Sequence, residues 1–350
     1  MLRIYFTSED LNVLRVAARP DPLWEIVLSL HLLQNRQAAL VFDPWRREVR
    51  AAIARAGLTS TVAALNRLCP WAHYFPDFLT PGQGVRELET GLDQVLSTPA
   101  ARLGEEISLT FGGGPLPPGA RRLAEGDPRA LEGLGDALRR YYAVAVEPYG
   151  DEIRAAVAAD RPVRAAAALD GGPDGLLASY QPELVRRDGT LGRDGVLEAA
   201  YPVDDELVLG GRPLTMIPAF FCVRYPVKLA DSELPPVLVH PLAPAPGWLE
   251  RARSARGRDG ADGTAAAGPA QAPPLARLIG HTRAAALDIL DRPLTTSQLG
   301  TRLRLTLSTA SRHATVLREA GLIASERRGN AVVHSRTALG EALLDGRVRE

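Results

Sequence analysis

Cysteine, lysine and aromatic residues are all scarce in this chain of 350 residues. Cys69 and Cys222 are the only cysteines and lie far apart, so one chain can build neither a disulfide framework nor a cage of thiolate metal ligands. This cysteine usage is typical of the reducing cytosol, and we expect a cytoplasmic protein. No apolar run approaches the roughly 20 residues of a membrane-spanning helix, and the first residues lack a signal-peptide pattern. We therefore expect no membrane partner.

The common catalytic and nucleotide-binding motifs are missing as well. The sequence contains no Gly-x-Ser-x-Gly, no His-Glu-x-x-His, no Walker loop and no dinucleotide fingerprint. The glycines at 112–114 follow no predicted strand and precede no Lys-Ser or Lys-Thr pair, which indicates a loop. We therefore predict no catalytic residues and no cofactor. An enzyme that carries a separate interaction or dimerisation module remains an alternative.

Composition and charge indicate a folded protein with an uneven charge distribution. Apolar residues form 46 % and charged residues 23 % of the chain, as in globular proteins, and the length indicates two or three domains. The formal net charge is zero, yet residues 275–350 contain twelve arginines and seven acidic residues, a net charge of +5. A basic C-terminal segment on an acidic body suits a nucleic-acid binder, because counterion release supplies most non-specific affinity.

Four segments of the chain differ in their sequence patterns. Residues 1–170 predict a mainly helical domain after a first strand, because their apolar residues recur at helical spacing. Residues 171–245 contain short alternating runs between turn residues and predict β hairpins packed on that domain. Residues 246–274, rich in proline, glycine, alanine and arginine, predict a flexible linker before a C-terminal domain at 275–345.

Two short helices and a basic hairpin are predicted within the C-terminal domain. The pair Thr295-Thr296 caps the first helix, Ser308 caps the second, and Gly321 ends it. Residues 326–330, Glu-Arg-Arg-Gly-Asn, lie at the tip of the hairpin. Helix, turn, helix and hairpin in this order are the outline of a winged helix-turn-helix. The expected fold class is thus an α+β multidomain protein with a mostly helical N-terminal body, a small antiparallel β section and this winged domain.

The outer face of the second predicted helix is small and polar. Stepping 100° per residue puts Ala310, His313, Ala314, Leu317 and Ala320 on the inner side. Short hydroxyl side chains let a helix approach base edges closely, and arginine can pair bidentately with guanine. The hairpin arginines suit contacts to phosphates or the minor groove. The predicted DNA-binding residues are Thr296, Ser297, Ser308, Thr309, Ser311, Arg312, Thr315, Arg318, Arg327, Arg328 and Asn330.

The stretch from Ser308 to Ile323, followed by Glu326 to Ser335, resembles the ArsR-type winged helix-turn-helix repressors. Its pattern is Ser-x-x-Ser-x-His-x-x-x-Leu-x-x-x-Gly-Leu, parts of which MarR-type regulators share. The resemblance covers about residues 275–345. It implies a homodimer that binds double-stranded DNA at a palindromic operator, with a recognition helix over Ser308–Ala320.

The chain differs from that family in two ways. The predicted helix Thr296–Leu303 contains no cysteine, so the resemblance does not imply the Cys-x-Cys metal site of the family's metal sensors. In addition, about 240 residues precede the winged domain, and the layout that begins with Asp21-Pro-Leu-Trp-Glu25 is similar to larger ArsR-like regulators. We expect a transcriptional repressor without a metal, whose N-terminal body dimerises, senses a small-molecule effector, or does both. A purely structural body remains open.

A dense aromatic cluster lies at residues 69–78, although aromatic residues form only 5 % of the chain. One interpretation is a packed core under an irregular loop. The other is an apolar ligand pocket, since aromatic side chains commonly line such pockets. The candidate pocket residues are Trp71, His73, Tyr74, Phe75 and Phe78. Neither Cys69 nor His73 has a metal-type partner nearby in the sequence, so we predict no metal there.

Overall fold

The computed structural model is an α+β fold that divides into two compact units. It describes residues 1–72, 74–82, 84–188, 195–242, 244, 247–250, 252–253, 274–329 and 331–345. The first unit contains Met1–Asn35 and Glu48–Leu242, and the second contains Arg36–Arg47 and Ala243–Glu350. None of the helices in the described ranges is long and apolar enough to cross a membrane.

Helices form most of the first unit. In chain order the helices up to residue 178 are α1 (Ser8–Asn12), α2 (Pro22–Gln34), α3 (Ala39–Arg55), α4 (Thr59–Leu68), α5 (Leu88–Leu96), α6 (Ala100–Thr110), α7 (Pro118–Ala124), α8 (Pro128–Ala145) and α9 (Gly150–Ala178). The part of α3 up to Arg47 belongs to the second unit. Helix α2 begins where Asp21 accepts hydrogen bonds from the backbone N–H groups of Leu23 and Trp24. The apolar residues Leu23, Ile26, Val27, Leu30 and Leu33 fall on one helical face and predict a packed helix here. In agreement with this, nearly all of α2 is buried.

Two helix boundaries differ from the sequence predictions. The sequence predicts that a helix begins at Pro44, but α3 begins at Ala39 and holds Pro44 inside it. Burial of the preceding residues, including Phe42 at 0 % exposure, stabilises a turn that proline alone would disfavour. The sequence also predicts a break at residues 170–175. There α9 kinks at Gly172, whose φ is +60°, and the helix resumes at Pro173 because proline is compatible with a first helical turn.

Two four-stranded sheets complete the first unit. The strands are β1 (Leu2–Phe6), β2 (Arg15–Val16), β3 (Leu184–Asp188), β4 (Gly195–Ala199), β5 (Asp205–Val208), β6 (Thr215–Ala219), β7 (Val227–Lys228) and β8 (Val237–Pro241). Their orders are β3-β4-β1-β5 and β2-β6-β8-β7. Leu2, Ile4 and Phe6 of β1 point into one apolar core with side chains from both sheets.

The prediction of an antiparallel β section is wrong in strand direction. Strand β1 pairs in parallel with β5, and β6 pairs in parallel with both β2 and β8, so both sheets are mixed. The two N-terminal strands pair with strands that follow the helices, and an alternating pattern does not reveal such long connections. The short apolar run at 220–224 also predicts a strand, but this segment is irregular. The N–H groups of Phe220 and Phe221 donate to the buried Glu25 carboxyl instead of to a neighbouring strand.

Short helices around a small sheet form the described part of the second unit after Leu242. In chain order these helices and strands are α10 (Pro274–Ile279), α11 (His281–Ile289), β9 (Leu294–Thr295), α12 (Thr296–Leu303), α13 (Leu307–Glu319), β10 (Ile323–Arg328), β11 (Ala331–Arg336) and α14 (Ala338–Asp345). The sheet is antiparallel in the order β10-β11-β9. Leu287, Leu299 and Leu317 lie in the apolar core.

The start of the predicted linker differs from the observed structure. The sequence predicts a flexible segment at 246–274, yet Trp248 and Leu249 lie in a helical turn with exposures of 4 % and 0 %. The Trp248 indole Nε1 donates a hydrogen bond of 2.9 Å to the carbonyl of Val41, and its ring lies 6.1 Å from that of Phe42. A large aromatic side chain gains enough from burial to order its segment. Residues 246, 251 and 254–273 of the predicted linker lie outside the described residues.

Candidate nucleic-acid interface

Helix α12 begins with a capping box. The Thr295 hydroxyl accepts the backbone N–H of Gln298 at 3.2 Å, and the Gln298 side chain accepts the Thr295 N–H at 2.9 Å. The helix ends at Arg304, which adopts the left-handed conformation with φ +54°. The predicted helix start at the threonine pair is therefore confirmed, with Thr295 as the capping residue.

Helix α13 is capped by Thr306 and not by Ser308, which corrects the prediction. Thr306 has extended backbone angles, and its hydroxyl accepts the N–H of Thr309 at 3.3 Å. Its hydroxyl also lies 3.1 Å from that of Ser308. The helix therefore begins earlier than a Ser308 cap would allow, and Ser308 lies exposed in its first turn. Gly321, with φ +70°, follows the helix as predicted.

Helices α12 and α13 approach each other closely at Gly300. A β carbon at this position would lie 3.1 Å from the carbonyl oxygen of Leu305 and 3.5 Å from the β carbon of Ala310. The N–H of Leu305 also donates to the Gly300 carbonyl at 2.8 Å. The short connection Arg304–Thr306 is thus held against the end of α12, and this contact sets the orientation of α13 relative to α12.

The two faces of α13 differ in burial much as its sequence predicts. Ala310, Ala314 and Leu317 are buried. His313 is half-buried, which places it at the edge of the core, whereas Ala320 is exposed, so the predicted inner placement of Ala320 is wrong. Ala320 caps the end of the helix, beyond the core. Of the predicted DNA-binding residues on this helix, Ser308, Ser311, Arg312 and Arg318 are exposed, while Thr309 and Thr315 are half-buried.

The predicted contact residues on α12 differ in their surroundings. Ser297 is exposed, but the hydroxyl of Thr296 lies 2.9 Å from Nε2 of His334. The other ring nitrogen of His334, Nδ1, lies 2.7 Å from the hydroxyl of Ser325. Burial, with a smaller contribution from the charge of Arg318, lowers the pKa of His334 below its ordinary value. The neutral ring therefore joins α12 to the hairpin, and the Thr296 hydroxyl has an internal partner.

The hairpin formed by β10 and β11 presents its arginines to solvent. Arg327 lies opposite Val332 and Arg328 lies opposite Ala331. The Arg328 guanidinium donates to the carboxylate of Glu326 at 3.0 Å, whereas Arg327 forms no ion pair within the described part of the chain. The remaining predicted tip residue, Asn330, lies outside the described residues. Of the two tip arginines, Arg327 is therefore the one whose guanidinium is not already paired with a carboxylate of the described structure.

The aromatic cluster at 69–78 does not come together as one pocket. Phe75 packs edge-on against Trp24 at 6.1 Å and His31 at 5.2 Å, and Phe78 is completely buried. Trp71 is 52 % exposed and Tyr74 half-buried, and His73 lies outside the described residues. These positions favour the packing interpretation for Phe75 and Phe78. None of the four described residues lines the cleft of about 970 Å³ in the first unit.

The cysteines and the other potential metal ligands are dispersed. Cys69 and Cys222 are both buried free thiols, and the Cys69 sulfur lies 3.3 Å from Nε2 of His31. Burial lowers the pKa of His31 to about 4. Across the described ranges, no group of three histidine, cysteine, aspartate or glutamate side chains could hold a metal ion.

Among known proteins, no family model, no curated protein and no solved structure matches this chain. The candidate site therefore rests on the chain's own residues and their geometry. The feature that combines exposed polar side chains, excess positive charge and close helix packing is the α12–α13 pair with the hairpin that follows.

Proposed function

We propose that this protein is a sequence-specific DNA-binding transcriptional regulator whose C-terminal elements act as a winged helix-turn-helix. In this assignment α13 is the recognition helix and the β10–β11 hairpin is the wing. The observation that carries the proposal is the uncovered polar face at the start of α13, where Ser308, Ser311 and Arg312 are all exposed. The close packing of α13 on Gly300 of α12 holds that helix at a defined angle.

The residues of α13 suit direct reading of the major groove. The first half of a recognition helix contacts base edges, and short side chains there allow close approach. Arg312 is exposed and forms no ion pair among the described residues, so its guanidinium is free for a bidentate contact with guanine. Ser308 and Ser311 can donate to either bases or phosphates. Base recognition is therefore assigned mainly to Arg312.

The hairpin suits contacts to the DNA backbone. Arg327 projects from the wing without an ion-pair partner in the described structure, whereas Arg328 shares its charge with Glu326. Residues 275–350 carry a net charge of +5, which favours binding to a polyanion. The ArsR-like pattern in α13 further suggests a homodimer on a palindromic operator and a repressing action. The first unit would then supply dimer contacts, effector sensing, or both.

Selection from a pool of random DNA duplexes tests the proposal, because it identifies a preferred operator and tests for specific binding in one experiment. The full-length protein should enrich one sequence, with inverted symmetry if the homodimer assignment holds. Binding to the enriched duplex should be sub-micromolar at physiological ionic strength and much tighter than binding to a scrambled duplex. Arg312→Ala should weaken specific binding by about 1–3 kcal/mol and relax the preference at one base position.

A matched control separates recognition from charge alone. Arg55 is also exposed and lacks an ion pair in the described structure, but it lies at the end of α3 in the first unit. Arg55→Ala should leave the affinity for the enriched duplex unchanged. Failure to enrich any sequence, or equal effects of Arg312→Ala and Arg55→Ala, would contradict the proposal.

A further inference from the structure

An open cleft of about 970 Å³ lies within the first unit, and none of the described residues of the predicted aromatic pocket lines it. Small-molecule sites are commonly clefts of about 300–1,000 Å³ with apolar walls and a few polar groups. Here the walls include Leu88, Val146, Ile153 and Val157. The volume and the lining are therefore those of a site for a drug-sized organic molecule.

Four arginines line the cleft. These are Arg19, Arg86, Arg154 and Arg161. Arg154 and Arg161 both lie on α9, so the four arginines come from three separate parts of the chain. Arg154 pairs with the exposed Asp151 at 2.5 Å, but the other three form no ion pair within the described residues. All four are exposed to solvent. Unpaired guanidinium groups around an apolar cleft are arranged to receive an anion, since their planar donors match carboxylate, sulfonate or phosphate oxygens.

The two carboxyl groups in the lining oppose this charge only weakly. Glu87 is exposed, while Glu25 is buried and accepts hydrogen bonds from the N–H groups of Phe220 and Phe221. Burial raises the pKa of Glu25 to about 8, so this carboxyl is mostly uncharged near neutral pH. Arg154 is already paired with Asp151, so the walls present three guanidinium groups without an ion pair in the described structure against the one ionised carboxylate of Glu87. This excess of positive charge favours an anionic ligand over a neutral or cationic one.

Helix α9 supplies one wall with regular spacing. Arg154, Val157, Ala158, Arg161 and Ala165 all line the cleft, and their spacing of three, four and seven residues places them on one helical face. This face combines apolar side chains with two arginines about two turns apart, so it offers apolar contact and charge together. The pattern matches a ligand that has both an apolar frame and an acidic group.

We propose that this cleft binds an amphipathic organic anion, with an acidic group held by the arginines and an apolar frame against α2 and α9. As an effector site it rests on the proposed function, because an effector needs an output to control. Binding itself does not require DNA, so the two proposals fail independently. The proposal gives the first unit a ligand class that its sequence did not reveal.

A pair of fluorescent probes tests the proposal directly. The anionic probe is 8-anilinonaphthalene-1-sulfonate, and its neutral counterpart is N-phenyl-1-naphthylamine, which has the same apolar frame without the sulfonate. Titration of the full-length protein should show saturable one-to-one binding of the anionic probe, about tenfold tighter than binding of the neutral probe. Inorganic sulfate, which lacks the apolar frame, should bind far more weakly than either.

Variants then place the probe in the cleft. Arg86→Gln combined with Arg161→Gln should weaken the anionic probe about tenfold and leave the neutral probe unchanged. Ala158→Trp, which fills the cleft from the exposed face of α9, should weaken both probes. Arg55→Gln is the matched charge control and should change neither. Unchanged melting temperatures would show that each variant is folded.

The proposal is overturned by three results. One is the absence of saturable binding of the anionic probe to the folded protein. Another is equal affinity for the charged and neutral probes, which would indicate apolar contact alone. The third is an unchanged affinity of the anionic probe in the double arginine variant and in Ala158→Trp, which would place the probe elsewhere.

Discussion

The carboxyl group of Glu25 accepts the backbone N–H of Phe220 at 2.8 Å, although 195 residues separate the two in the chain. Its second oxygen accepts the N–H of Phe221 at 3.1 Å. Both phenylalanines are buried, so these two donors have no access to water. One side chain on α2 thus satisfies the backbone immediately after β6, where the parallel pairing with β8 ends.

Removal of this carboxyl should destabilise the first unit. Glu25→Ala removes the carboxyl that accepts two buried N–H donors, and each such loss costs about 1–3 kcal/mol. The free energy of unfolding, measured by urea denaturation at neutral pH, should therefore fall by about 2–5 kcal/mol. Glu132→Ala, at an exposed position on α8, should change it by less than about 0.5 kcal/mol. Similar values for the two variants would contradict the role of Glu25.

The same carboxyl should make stability depend on pH above the acid range. Burial raises the pKa of Glu25 from its ordinary 4.5 to about 8 in the folded protein. The Glu25 carboxyl ionises near pH 4.5 in the unfolded chain but keeps its proton in the folded protein, so its contribution to stability is greatest below pH 4.5 and is lost as the pH rises through about 8. Relative to Glu25→Gln, the wild type should lose up to about 1.4 kcal/mol per pH unit in this window. A difference that stays constant from mildly acidic to mildly alkaline pH would refute this.

The indole of Trp248 should stabilise the second unit in two separable ways. Trp248→Phe keeps much of the ring packing on Phe42 but removes the donor to the Val41 carbonyl, which should cost about 1–3 kcal/mol. Trp248→Ala also removes the buried ring and should cost about 3–5 kcal/mol. Chemical denaturation measures both values, with Trp71→Ala as the control because Trp71 is 52 % exposed. An equal loss in Trp248→Phe and Trp248→Ala would assign all the stability to the hydrogen bond.

Two helical glycines should respond to alanine with opposite signs. A β carbon at Gly340 would lie 2.2 Å from the carbonyl oxygen of Leu322, so Gly340→Ala forces the backbone apart and should cost about 1–3 kcal/mol. At Gly133, apart from the adjacent residues and the backbone of α8 itself, no atom of the described residues lies within 4 Å of the corresponding position, and Gly133→Ala should stabilise α8 by about 0.5–1 kcal/mol. Thermal unfolding of the two variants should therefore shift in opposite directions. Shifts of the same sign would show that the close contact with the Leu322 carbonyl does not determine the stability of Gly340→Ala.

The two adjacent wing arginines should differ in their contribution to DNA binding, if the proposed function holds. Arg327→Ala should reduce the slope of log affinity against log salt concentration by about 0.9, the value for one lost phosphate contact. Arg328→Ala should reduce it less, because the Arg328 guanidinium already pairs with Glu326 at 3.0 Å. Fluorescence anisotropy with the selected duplex at several salt concentrations measures both slopes. A larger effect of Arg328→Ala would reverse this assignment.

Several local features were predictable because a few neighbouring residues cause them. The capping box at Thr295 needs only Gln298 three residues later, and Gly321 adopts the left-handed conformation that favours glycine at a helix end. The buried positions of α13 follow from helical periodicity. The Ser308 cap is a wrong prediction, because Thr306 two residues earlier is also a favoured cap residue and takes the extended conformation.

Other features depend on residues that are distant in the chain. An alternating pattern predicts a strand but not its neighbours, so the parallel pairing of β1 with β5 and of β6 with β8 was not predictable. The local composition places Trp248 in a linker, because the buried residues around it belong to α3. The grouping of the four arginines around one cleft was not predictable from the sequence either, because they come from separate segments of the chain.

The sequence by itself determined the helix–turn–helix–hairpin order of the second unit, because caps, left-handed glycines and periodicity act over a few residues. It also determined the basic charge of that region and the polar character of the α13 surface. Only the tertiary structure decided which arginines share a cleft and which buried donors meet Glu25. Those relationships arise from chain segments that pack together although they lie far apart in sequence, and no local pattern encodes their distance.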